Sequence, residues 1–382
     1  MFSISNQQSA ISNLKVALVH DYLYSYGGAE RVLEALHEIW PKAPVYTSFV
    51  DWQWVLKNKK EWLDWKIVPS WFQKIPFHKT LCSPMRFLAP WIWESFDLRE
   101  FDVVISSSAW FMPKGVLTSS ETTSICYCHT PPRYLYGYPE SVKKNFLIKL
   151  YAKIVNPFMR RYDNISSERV DYFICNSKNV RKRIKKFYGR EAMVIYPPVE
   201  MKKPVASSRQ PEGANYYLMV NRLVWHKRVD LAIRACRKLK LKLKIVGEGR
   251  EKRNLEKIAK GDKNIEFLGY VNENKLNELY YGCKAVLYLA EEEDFGITPV
   301  EAMSYGKPVV ALKSGGIQET VIEGKTGFFV SKPILSELLK VLQKFDDLDY
   351  RTIRQNPNLS HILLPASEGL SGKAYWSASN IQ

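Results

Sequence analysis

The 382-residue sequence contains no G-x-G-x-x-G turn, no C-x-x-C pair and no apolar run near the ~18 residues a membrane-spanning helix needs. The missing dinucleotide fingerprint argues against a dehydrogenase. The six cysteines, Cys82, Cys126, Cys128, Cys175, Cys236 and Cys283, lack zinc-like spacing and read as buried thiols in a reducing compartment. Met1–Asn13 is polar, with no basic segment leading into an apolar one, so no secretory leader is expected and a cytoplasmic location is. The sequon Asn164-Ile165-Ser166 therefore carries no weight.

Acid is also scarce relative to base: the net charge is +17, and the excess is spread over both halves of the chain. An acidic partner has to be considered. The densest patch, Lys178, Arg181, Lys182, Arg183, Lys185, Lys186 and Arg190, lies on one expected helix. A solvated face is its plain reading and an anionic membrane surface the next. No nucleic-acid motif accompanies the charge, so no nucleic-acid partner is expected. Apolar residues make up 46% and charged residues 25%, as in an ordinary globular chain long enough for two substantial cores.

Short apolar runs of strand length recur, each followed by a turn and a helical pattern. Lys15–His20 leads into Gly27-Gly28-Ala29-Glu30, and further strands are expected at 45–49, 102–106, 124–129, 171–176 and 193–196. A long helical region from Ser141 to Val170 is expected to be interrupted at Pro157. Between 52 and 93 lies a segment dense in Trp and Phe among lysines and prolines, mostly suited to core packing. Its Trp71–Lys79 portion also suits a lipid interface. After the Pro-rich stretch 197–213 the pattern restarts, with strands at 216–220, 242–246, 265–271, 285–289, 308–312 and 327–330.

The stretch that organises these repeats is Glu291–Met303. A buried strand, 285–289, ends in an acidic loop, and a helix opens near Pro299. Glu293 and Glu301 stand eight positions apart, with Gly296 and Pro299 preventing one continuous helix between them. Glu293 then sits beyond the strand's carboxyl end, where open α/β sheets bind ligands. Glu301 lies in the first helical turns, and the backbone N–H groups of Phe295, Gly296, Ile297 and Thr298 suit a diphosphate. Thr298-Pro299-Val300-Glu301 equally fits a capping box with proline at the first helical position, which leaves Glu293 and Gly296 unexplained.

Other candidates share that placement. Gly27 and Gly28 let backbone approach a ligand, although a tight strand-to-helix turn uses glycine for steric reasons as well. His129 ends a strand before Thr130-Pro131-Pro132-Arg133, at the ligand-facing edge, where it is either a ligand contact or a satisfied structural histidine. Arg222 and Lys227 follow the strand 216–220 and can neutralise a diphosphate, or be two solvated cations of a basic chain.

With these residues in place, Glu293–Glu301 resembles the E-x7-E motif of retaining glycosyltransferase family four, and Arg222–Lys227 resembles its R-x4-K diphosphate clamp. Gly27-Gly28-Ala29-Glu30 is similar to the family's glycine loop. Cys128-His129-Thr130-Pro131-Pro132-Arg133-Tyr134 resembles most closely the bacterial mannosyltransferases of surface-polysaccharide assembly. The resemblance covers about residues 15–345 and implies a GT-B fold: α/β, two Rossmann-like doubly wound domains facing across a cleft. It implies transfer of a hexose, mannose favoured, from a nucleotide diphosphate sugar to a glycan or lipid-linked sugar acceptor, with retention and without a metal or other cofactor. His129, Glu293, Arg222 and Lys227 are then the catalytic residues. Gly27, Gly28, Gly247, Tyr270, Val271, Phe295, Gly296, Ile297, Thr298 and Glu301 join Arg222 and Lys227 in binding the donor, and Arg133 meets the acceptor.

The expected organisation is an acceptor domain over 1–197, a linker over 198–214, a nucleotide-sugar domain over 215–345 and a tail over 346–382. Family members usually end in a long amphipathic helix, whereas Gln355–Gln382 is rich in Ser, Asn and Gly. That departure keeps a second reading open: a catalytically impaired nucleotide-sugar-binding protein with an altered C-terminus.

Overall fold

The computed structural model describes residues 14–139, 146–200 and 215–344, with the backbone of the short strand Leu363–Leu364. The start of the expected long helix at Ser141, the expected linker from residue 201, and the expected tail apart from that strand lie outside the described residues.

The chain divides into two compact units, with the division near Pro197–Pro198. The first is built on a seven-stranded sheet of Val16–His20 (β1), Val45–Thr47 (β2), Ile67–Pro69 (β3), Val103–Ser108 (β4), Thr123–Cys128 (β5), Tyr172–Cys175 (β6) and Ala192–Val194 (β7). The spatial order is β3-β2-β1-β4-β5-β6-β7, and every pairing is parallel. Alternation along β1 explains the two layers of core. Val16 and Leu18 pack with Val32, Leu33 and Leu36 of the helix Gly28–Ile39, while Ala17 and Val19 face Phe49, Phe72, Trp93 and Phe111.

The second unit repeats the plan. Tyr216–Val220 (β9), Lys242–Val246 (β10), Ile265–Gly269 (β11), Ala285–Tyr288 (β12), Val309–Leu312 (β13) and Gly327–Val330 (β14) form a sheet of order β11-β10-β9-β12-β13-β14. All of its pairings are parallel too. In each sheet the first strand lies beside the fourth, so the winding direction reverses between β1 and β4 and between β9 and β12. The crevice outside the carboxyl ends of such a pair is where open α/β sheets take ligands. A separate two-stranded parallel ribbon joins Val199–Glu200 (β8) to Leu363–Leu364 (β15).

Two local expectations are corrected. The helix Phe146–Glu168 runs through Pro157 without a break. Pro157 and Lys153, the residue whose carbonyl loses its partner, are both exposed, so water can satisfy that carbonyl at little cost. The helix after the acidic loop is Ile297–Ser304, two residues earlier than the proline suggests. Gly296 adopts a left-handed conformation at φ 89° and is the cap, with no side-chain cap bond, so Thr298 lies inside the first turn and the capping-box alternative is not realised.

Candidate active site

In the second unit the strand ends at the reversal point bring together the loops 221–228 and 289–296. Lys227, 8% exposed, donates from Nζ to Glu293 Oε2 at 2.5 Å and to the Tyr288 hydroxyl at 3.2 Å. Arg228 pairs with Glu291 at 2.9 Å, and the Glu291 amide donates to the His226 carbonyl at 2.9 Å, which ties the two loops together. Arg222 is exposed, and among the described residues its side chain has neither hydrogen bond nor ion pair. The sequence alone assigns Lys227 and Glu293 separate tasks; the structure puts them in contact, each holding the other in a partly dry site where the interaction is stronger than on a solvated surface.

Backbone close approach fixes these loops. A Cβ on Gly247, at φ 120°, would stand 2.0 Å from the Asn221 carbonyl oxygen, so any other residue there would push away the loop that carries Arg222. Gly315 does the same beneath the acidic loop: its Cβ would meet the Glu293 carbonyl oxygen at 2.0 Å. The Gly316 amide donates to that carbonyl at 2.9 Å. Neither contact can be read from sequence spacing, although the Gly315-Gly316 pair is a visible hint.

On Ile297–Ser304, Glu301 is half-buried and accepts from the Tyr280 hydroxyl at 2.9 Å. Phe295 and Gly296 are buried, while Ile297 and Thr298 are half-buried in a first turn whose amides have no intrahelical acceptor. Tyr270 is exposed and Val271 half-buried, just past β11.

In the first unit His129 follows β5 and is 7% exposed. Its amide donates to the Ser108 carbonyl at 2.8 Å, and its own carbonyl accepts from Asn176 Nδ2 at 3.0 Å. Its Nε2 lies 2.9 Å from Ser107 Oγ, which in turn lies 3.0 Å from His20 Nδ1. Burial, with His20 nearby, pushes the His129 imidazole down to about 3, so the ring is neutral at ordinary pH. Gly27, the cap of Gly28–Ile39, has an ordinary extended backbone, and Gly28 has no left-handed φ, so neither glycine is demanded by its own torsion angles. Both are exposed. Arg133 is half-buried at the start of the short helix Arg133–Tyr136.

Among the described residues no group of three or more His, Cys, Asp or Glu could hold a metal ion, and no helix is long and apolar enough to cross a membrane. Sequence reasoning missed Tyr288, Tyr280, Ser107 and His20. Only their place near strand and helix ends could have marked them.

Comparison with known proteins finds a family profile in each part of the chain. The profile described as Glycosyltransferase Family 4 matches residues 26–203, and that described as Glycosyl transferases group 1 matches residues 201–349. The alpha-1,3/1,6-mannosyltransferase ALG2 of Dictyostelium discoideum is 25% identical over 377 residues, covering 84% of this chain and 87% of its own. The human protein of the same name is 26% identical, covering 77% and 73%. In fold, the chain is similar to HepE of Anabaena in complex with UDP and glucose, with a TM-score of 0.64, 20% identity and coverage of 90% and 98%. WaaG, a glycosyltransferase involved in lipopolysaccharide biosynthesis, gives a TM-score of 0.63 at 17% identity, covering 94% and 96%. With two Rossmann-like units in one chain and two adjoining profile matches, the protein belongs to glycosyltransferase family four, the GT-B enzymes that use nucleotide-sugar donors.

Proposed function

We propose that this chain transfers mannose from GDP-mannose, with retention of anomeric configuration, to a glycan or lipid-linked sugar acceptor. The observation that carries the reading is the contact of Lys227 with Glu293 at the reversal point of the second sheet, with the exposed Arg222 on the same loop as Lys227. In the reaction the bond between the sugar's anomeric carbon and the diphosphate oxygen breaks, and the acceptor hydroxyl oxygen bonds to that carbon. The acceptor proton leaves with the diphosphate. Arg222 and Lys227 take the developing charge on the leaving group, helped by the amides of Ile297 and Thr298 at a helix start. Glu293 orients the sugar ring, Glu301 accepts from ribose hydroxyls, Gly247, Tyr270 and Val271 border the base, and His129 holds a sugar hydroxyl. Gly27 and Gly28 admit the diphosphate, and Arg133 meets the acceptor. The mannosyltransferase names of the relatives support the choice of sugar.

The test is transfer and donor hydrolysis by the purified protein with GDP-mannose and UDP-sugars, beside Glu293→Ala. Mannose transfer lost in the variant supports the reading. Binding of a donor without turnover by either protein replaces it with a non-catalytic nucleotide-sugar binder.

The same enzyme works at the inner face of an anionic membrane. The helix Phe146–Glu168 buries Ala152, Met159 and Tyr162, yet on its opposite side Phe146, Leu147, Leu150, Ile154 and Phe158 are exposed beside Lys149 and Lys153. Trp91 stacks on Phe158, Trp71 Nε1 donates to the Trp91 carbonyl at 3.2 Å, and Phe77 is 82% exposed with φ 57°. A second apolar stripe flanked by lysines suits a headgroup boundary. Co-sedimentation with phosphatidylglycerol vesicles, but not with phosphatidylcholine, and its loss in Leu150→Ser/Ile154→Ser is the expected result. Equal recovery with both lipids contradicts it.

A further inference from the structure

His20 and Ser107 are opposite one another in the register between β1 and β4, the two strands at the reversal point of the first sheet. Both are 1% exposed, and they continue from His129 to Glu30 as one buried line. Ser107 Oγ is 2.9 Å from His129 Nε2 and 3.0 Å from His20 Nδ1, and His20 Nε2 faces Glu30 Oε1 at 3.6 Å. Glu30 is 6% exposed, and its Oε2 would lie 3.3 Å from a Cβ on Gly27, so the residue at that position limits where the carboxylate can sit.

The direction of each hydrogen is set from the far end. His20 Nε2 is sealed and has no hydrogen-bond partner, and the group it faces is a carboxylate. A ring N–H is attracted to that carboxylate, whereas a bare lone pair would be repelled by it. As a neutral ring, His20 then carries its proton on Nε2 and presents Nδ1 as an acceptor. The Ser107 hydroxyl donates to that Nδ1, and its oxygen accepts from His129. His129 is protonated on Nε2 in consequence, leaving Nδ1 as a bare acceptor. His129 Nδ1 has no partner among the described residues and, unlike His20 Nε2, is not sealed, so it is reachable from outside.

We infer that Glu30, His20 and Ser107 are positioning residues that hold His129 in its Nε2-protonated tautomer, so that Nδ1 accepts a hydrogen bond from a hydroxyl of the donor sugar. The role of that acceptor rests on the proposed function; the tautomer does not. Burial keeps the imidazole neutral, which is the form that has an acceptor nitrogen.

The test is nitrogen-15 NMR of the full chain labelled at its six histidines, with His129→Gln to assign the His129 signals. Without substrate, Nε2 of His129 is expected to give the protonated signature and Nδ1 the unprotonated one. Ser107→Ala and Glu30→Gln, each checked for an unchanged melting temperature, are expected to give mixed tautomers. They should also lower kcat/KM for donor by roughly tenfold, the effect of one lost hydrogen bond. Ser107→Thr restores the hydroxyl and is expected to restore the tautomer. A protonated Nδ1 in the parent protein overturns the inference. So does one unchanged tautomer in the folded variants; if Ser107→Ala does not fold, Glu30→Gln decides alone. An intact tautomer pattern in a protein that transfers no sugar leaves the positioning in place and removes the functional reading.

Discussion

The two sheets reverse their winding at the same place in strand order, yet the chemistry at the two points differs. Between β1 and β4 the groups are His20 and Ser107, both sealed, and, just past the next strand, His129, held neutral with its Nδ1 reachable; one hydroxyl joins the two rings. Between β9 and β12 they are Lys227 and Glu293, charged and paired, with Arg222 reaching solvent. The backbone plan is shared, and the side chains at and just beyond the strand ends set the two apart. A dry line of hydrogen bonds suits holding one hydroxyl in one direction. A cationic edge suits taking up charge as it appears.

Changes at the two points, and at a buried ion pair that serves neither, separate these roles. The largest expected effect is on stability in the first unit. Lys114 pairs with Asp163 at 1% and 0% side-chain exposure, and Tyr136 and Tyr188 donate to Asp163 at 2.7 and 2.9 Å. Lys114→Met strands a carboxylate in the core and is expected to cost about 3–5 kcal/mol in denaturant unfolding of the first unit. An unchanged unfolding midpoint would show that the pair does not hold that unit together. Next, Lys227→Ala is expected to lower kcat about 10²–10³-fold while the fold persists, as measured by initial rates with donor. A change confined to KM would move Lys227 from the reaction to simple binding.

A smaller effect belongs to pH. His129 has its folded value pushed below the unfolded one, so the unfolded state binds more protons. Its contribution to stability is complete above about 6.5 and is lost as pH falls through that value towards about 3. His129→Gln is expected to flatten the melting-temperature profile across that window by the slope of one proton. The smallest effect is Tyr280→Phe, which removes one bond to Glu301 and is expected to cost about 1 kcal/mol, read as a few-fold rise in donor KM.

The sheets were legible in the sequence because strands buried on both faces are near-continuous apolar runs. Tyr216–Val220, Ala285–Tyr288 and Val309–Leu312 lie within such runs. Ile67–Pro69 was not legible: three residues inside a segment of Trp and Lys carry no period. Pro157 misled because its effect depends on whether the orphaned carbonyl meets water, a tertiary fact. At the site, Glu293 and Lys227 were visible as residues but not as a pair, since 66 positions separate them. The line from Glu30 to His129 was hidden for the same reason. Ser107 in a strand has no sequence signature, and only the β1–β4 register places it against His20.

The central claim is that Arg222 and Lys227 at the second reversal point receive the donor's diphosphate. Titration calorimetry of GDP and UDP against the parent protein, Arg222→Ala and Lys227→Ala tests it directly. The account predicts that at least one nucleotide binds the parent and that each variant weakens it about tenfold or more, the loss of a charged hydrogen bond. Equal affinity in all three proteins would contradict it.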